Sequence, residues 1–113
     1  MLFHHPCILR PIACTPCKIA MLLGLQISDA VRLKLITIER VISDIYSALR
    51  YMHSLKVIHC DVRTMNVIYL NGRARLIDFG GCKYSLYSNM GRDLIGLIEI
   101  YRDLSYFSSC QDI

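Results

Sequence analysis

Three polar residues in one apolar stretch have the types and spacing to do chemistry together. Asp61, Asn66 and Asp78 lie within residues 57–80, among neighbours able to bury them close to one another. Two short apolar runs, Val67–Leu70 and Ala74–Ile77, flank the dipeptide Asn71-Gly72. That dipeptide is the strongest short-range signal for a tight hairpin whose turn residues both take positive φ. The hairpin folds the second run back along the first and returns Asp78 towards Asn66. An Asn amide oxygen and an Asp carboxylate are hard oxygen ligands of the kind Mg²⁺ accepts while keeping waters and substrate phosphates. Asp61, on the loop entering the hairpin, is placed to take a proton from a substrate hydroxyl.

Other elements must hold that loop. Ile38, Val41, Ile42, Ile45, Leu49 and Met52 recur at three- and four-residue spacing, which predicts an amphipathic helix ending near Ser54. Thr37 is its N-cap by type, with Glu39, Asp44, Ser47, Arg50 and His53 on the polar side. Ser28-Asp29 is expected to cap a helical turn over residues 30–35. A second stripe, Leu94, Leu97, Ile98, Tyr101 and Leu104, predicts a helix from Arg92 onward, with Asn89 a cap and Asp93 at its start. Near the N-terminus, Pro6 and Pro11 punctuate an extended stretch, and Lys18–Leu23 reads as a strand ending at Gly24.

His59-x-Asp61-x-x-x-x-Asn66 followed by Asp78-Phe79-Gly80 resembles the catalytic loop and metal-binding motif of the protein kinases. His5-Pro6-Cys7-Ile8 is similar to a turn of their small lobe, and Ala48–His53 resembles the end of the helix before their catalytic loop. The resemblance implies a partial protein-kinase-like α+β fold: small-lobe remnant and hinge over residues 1–26, large-lobe portion over 27–107, tail over 108–113. It implies ATP and Mg²⁺ as cofactors. Asp61 would position and deprotonate the substrate hydroxyl, while Asn66 and Asp78 would hold Mg²⁺ on the phosphates. Residues 22–26, Leu23 among them, would form the hinge against the adenine. His59 would pack near Phe79, and Asp93 would clamp the catalytic-loop backbone; the residue-level alternative is a carboxylate favourable to a helix start.

The chain also departs from that pattern. Arg63 stands where Ser/Thr kinases usually carry Lys, and is expected to neutralise charge on the transferring group with a different fork geometry. Cys60 replaces the Arg of His-Arg-Asp, which removes the usual receptor for an activation-loop phosphate. No Ala-Pro-Glu follows Gly80, and no glycine-rich loop or Val-Ala-x-Lys strand precedes the motifs. The expected function is therefore a Ser/Thr-type phosphotransferase fragment, inactive or weak alone. The rival is a pseudokinase fragment that binds a protein through exposed apolar faces. ATP and a protein substrate or docking partner are the expected partners.

Composition narrows the rest. At 113 residues the chain holds at most one small domain. Hydrophobic residues make up 54% and charged ones 19%, which leaves little sequence to form surface and predicts exposed apolar area. The net charge of +4 is scattered rather than clustered, so no nucleic-acid partner is expected. The apolar run Ile19–Leu25 is too short for a bilayer, and His4, His5 and Pro6 interrupt any signal-like segment. An intracellular, cytoplasmic setting without membrane association is expected, with the six cysteines reduced. Cys14 and Cys17 form a single Cys-x-x-Cys followed by no second Cys-x-x-Cys or His-x₃-His. With His4 and His5 it would be a zinc site and at a helix start a redox pair, but Pro16 and the apolar run after it favour structural residues in a turn.

Overall fold

The computed structural model describes residues 5–8, 24–77, 83–84 and 90–109. In chain order these hold strand β1 (Leu25–Gln26), helix α1 (Ile27–Arg32), helix α2 (Ile38–Ser54) and strand β2 (Val57–Ile58). A 3₁₀ turn (Thr64–Asn66), strands β3 (Val67–Leu70), β4 (Arg73–Leu76) and β5 (Lys83–Tyr84), and helix α3 (Met90–Ser109) follow. Leu23, Asp78 and Phe79, the strand expected over Lys18–Leu23, the Cys14/Cys17 pair and the Asn89 cap lie outside the described residues.

The hairpin forms at the expected dipeptide. Asn71 and Gly72 take φ of 53° and 82°, the mirror-image turn that matches strand twist. The strands run one residue earlier on the return side than the apolar run suggested, pairing Val67 with Leu76 and Leu70 with Arg73. β1 adds to the other side of β3, giving a three-stranded antiparallel sheet in the order β1-β3-β4. β2 and β5 form a separate antiparallel pair.

Helix α2 starts where its cap predicts. Thr37 Oγ1 accepts the Arg40 backbone N–H at 3.2 Å, and the helix ends at Ser54. Val41, Ile45, Ala48, Leu49 and Met52 are wholly buried along one face. Burying each of the larger ones contributes about 1.5–3 kcal/mol before the entropy of ordering is subtracted. Val67, Ala74 and Leu76 of the hairpin and Ile100 and Leu104 of α3 share that core.

Two expected helices differ in detail. The short one occupies Ile27–Arg32 rather than 30–35, and its N-cap is Gln26, which makes no side-chain bond. Ile27, Ala30 and Val31 turn into the core, so burial set the start rather than the Ser28-Asp29 cap. Asp29 instead pairs with Arg32 at 2.9 Å. Its C-terminus closes with Leu35 N donating to Ala30 O and Lys34 N to Val31 O, with Lys34 at φ 61°. In α3 the buried face is Asp93, Leu97, Ile100 and Leu104, whereas Leu94, Ile98 and Tyr101 of the expected stripe are exposed. Apolar residues surround this helix, so spacing alone selected too wide an arc.

The outer edge of β4 is covered. Ala74 N donates to Asp44 Oδ2 at 3.0 Å, and Leu76 N donates to Cys7 O at 2.8 Å. Ile8 bridges to Leu76 in parallel. The turn at Pro6 is as expected, with Ile8 N donating to His5 O at 3.2 Å and Cys7 N to His5 Nδ1 at 3.0 Å. Asp44 belongs to the buried side of α2, not its polar side, because it is the acceptor for this edge.

Candidate active site

The loop between β2 and the 3₁₀ turn is built around buried His59. Its Nε2 lies 2.9 Å from the carbonyl oxygen of Ile77. Its Nδ1 accepts the backbone N–H of Asp61 at 3.1 Å. A proton therefore belongs on Nε2, where it can be donated, and the ring ties the loop to the end of β4. The next residue, Cys60, takes φ 75°, a left-handed conformation costing an L-residue about 1–2 kcal/mol. Its thiol lies 3.7 Å from Ile58 O.

Asp93 holds the strained step in place. This carboxylate, 1% exposed, accepts the His59 N–H on Oδ2 at 2.9 Å and the Cys60 N–H on Oδ1 at 3.0 Å. Oδ2 is also 2.9 Å from Nε2 of His53. Asp93 thus clamps the loop backbone as expected. His53 turns inward from the side of α2 read as polar, because Asp93 is there to receive it. Both Asp44 and His53 flank the apolar stripe of α2. Stripe spacing marks them as border positions, and only tertiary contact shows them turning in.

Asp61 and Asn66 come together. Asn66 Nδ2 donates to the Asp61 main-chain oxygen at 2.8 Å and to its Oδ2 at 3.0 Å. Both N–H groups of the amide are directed at Asp61, so its oxygen is the end left for a cation. That oxygen-only chemistry fits Mg²⁺. Arg63 Nε lies 3.2 Å from Asp61 Oδ1, with both side chains about half exposed. The carboxylate is therefore flanked by an amide and a guanidinium, and reachable from solvent. Ile77 N donates to Asn66 O at 2.9 Å, continuing the hairpin ladder past β4. Asp78 is the following residue and Leu23 is far upstream; both calls fall outside the described residues.

The sequence profile described as protein kinase domain matches residues 17–96. The chain belongs to the protein kinase domain family. It is also 43% identical, over 49 residues, to the probable serine/threonine protein kinase IRE4 of Arabidopsis thaliana. That match covers 42% of this chain and 5% of the relative's length. The helices and small antiparallel sheets make a partial α+β kinase-like fold.

Within this kinase-family fold, further contacts hold the loop that sequence reading missed. Gly96 of α3 faces Val62 so closely that a Cβ there would lie 2.3 Å from the Val62 carbonyl oxygen. Thr64 Oγ1 donates to Asp103 Oδ2 at 2.9 Å. Spacing hints at neither. Further off, Cys7 is buried, and its thiol pKa is raised, by burial first and by nearby Asp44 next. Among the described residues no group of three or more His, Cys, Asp or Glu is arranged to hold a metal. No helix among them is long and apolar enough to cross a membrane.

Proposed function

We propose that the chain carries the catalytic centre of an ATP-dependent kinase acting on Ser or Thr hydroxyls of a protein when complete. The observation that supports this most is the pair of hydrogen bonds from Asn66 to Asp61, which set a carboxylate and an amide oxygen at one solvent-facing site. Asp61 accepts the proton of the attacking hydroxyl. Asn66 and Asp78 hold Mg²⁺ through their oxygens, and Mg²⁺ when bound neutralises phosphate charge. Arg63 orients Asp61 through their ion pair, and offers its remaining N–H groups to the transferring phosphoryl group. Residues 22–26, Leu23 among them, are the candidate hinge that binds the adenine ring through backbone groups.

In this reading residues 1–26 are a small-lobe remnant, 27–107 a large-lobe portion and 108–113 a tail. Phosphoryl transfer depends mainly on positioning and charge neutralisation. Without a Val-Ala-x-Lys strand the chain alone is weak or inactive, in an intracellular, cytoplasmic setting. Thermal unfolding with millimolar ATP and Mg²⁺ tests this: the midpoint rises, and Asp78→Asn reduces the rise. No rise at all removes the proposal.

A second reading is a pseudokinase fragment that binds another protein, favoured by one observation. Leu94, Ile95, Ile98 and Tyr101 of α3 are 39%, 59%, 61% and 51% exposed. A chain that is monomeric and stably folded alone counts against it.

A further inference from the structure

Helix α3 meets the loop at three points in register. Asp93 takes the N–H groups of His59 and Cys60, Gly96 abuts the carbonyl of Val62, and Asp103 takes the hydroxyl of Thr64. From Asp93 to Asp103 is ten residues, about 15 Å of helix. Loop residues 59–64 are laid along that length. The first two contacts act on backbone and precede or adjoin Asp61. The third is made by side chains and lies beyond it.

We propose that Thr64 and Asp103 form a positioning pair that fixes the turn carrying Asn66, and so sets where the Asn66 amide oxygen points. The 3₁₀ turn Thr64–Asn66 is one turn long, and its preceding residue Arg63 supplies no side-chain cap. Two backbone bonds close it, Asn66 N donating to Arg63 O at 2.9 Å and Val67 N donating to Thr64 O. The middle residue, Met65, is 67% exposed and packs little. A turn this short has few bonds to hold it. Thr64 anchors its start to a long helix, while the bonds of Asn66 to Asp61 anchor its end. With the start released, the turn can open while Asp93 still holds His59 and Cys60, and His59 the N–H of Asp61, and the relation between the Asp61 and Asn66 side chains is lost.

The catalytic meaning of this pair rests on the proposed function; the contact itself does not. The test uses the full chain and compares Thr64→Val, which removes the hydroxyl, with Thr64→Ser, which keeps it. Asp103→Leu removes the acceptor and Asp103→Asn keeps one. Amide hydrogen exchange at Asn66 and Val67, whose N–H groups close the turn, should quicken roughly three- to ten-fold in Thr64→Val and Asp103→Leu, the range one ordinary, solvent-exposed hydrogen bond supports. Exchange at Ala48 and Leu49 of α2 should not change. Mn²⁺·ATP affinity, read by electron paramagnetic resonance, should fall by a similar factor and return in Thr64→Ser and Asp103→Asn.

Unchanged exchange at Asn66 and Val67 overturns the proposal, whatever the affinity does. So does quickening spread equally through α2, or affinity that stays level while the turn opens. If the unaltered chain binds no Mn²⁺·ATP, the functional reading fails, and the exchange data still decide whether the pair holds the turn.

Discussion

Replacing Asp93 with Ala is the sharpest structural perturbation available, because one side chain serves three donors. The substitution leaves the backbone N–H groups of His59 and Cys60 without an acceptor, and His53 without its partner. Each orphaned buried donor costs about 1–3 kcal/mol, so the two backbone groups together cost about 2–6 kcal/mol. Cys60 also loses the bond that holds it at φ 75°. A small domain commonly has about 5–15 kcal/mol of stability in all. The loss should therefore shift the urea midpoint, followed by circular dichroism, by a large fraction of its value. Asp93→Asn should lose nearly as much, since its amide must turn an N–H against at least one of the three donors. A loss below about 1 kcal/mol for Asp93→Ala would refute the clamp.

The remaining predictions concern the elements around it. Gly96→Ala should destabilise through its clash with the Val62 carbonyl, and Val62→Ala should not relieve it, because the obstacle is backbone. His5 has a lowered pKa, from partial burial first and the Arg73 charge second. Its neutral form is the one the fold favours, so its contribution is present above about pH 6.5 and is lost as pH falls below it. Unfolding free energy should therefore drop more between about pH 7.5 and 5.5 in the unaltered chain than in His5→Gln; equal slopes would contradict this. Burial and Asp44 raise the Cys7 pKa. In native protein, mass-spectrometric mapping of thiol alkylation should find buried Cys7 modified more slowly than partly exposed Cys60. The reverse order would contradict that placement.

Much of the site was legible because its signals are local. Asn71-Gly72 dictates a turn by φ alone, Thr37 a cap by its hydroxyl, and the α2 stripe a buried face by period. Asp61 and Asn66 meet because five residues and one short turn separate them. What stayed hidden depends on contacts between distant residues. Asp44 and His53 look like polar-face residues until the edge of β4 and the carboxylate of Asp93 are set beside them. The buried arc of α3 was misread because both of its sides are apolar. Thr64 and Asp103 lie 39 residues apart, with no pattern to link them.

In the proposed function Asp61, Asn66 and Asp78 converge on a cation and its nucleotide. A crystal structure of the chain with Mg²⁺ and a non-hydrolysable ATP analogue tests it most directly. Mg²⁺ should lie about 2.0–2.1 Å from the Asn66 amide oxygen and an Asp78 carboxylate oxygen, with Asp61 facing the γ-phosphate. A cation held elsewhere, or Asp78 directed away from Asn66, would contradict it.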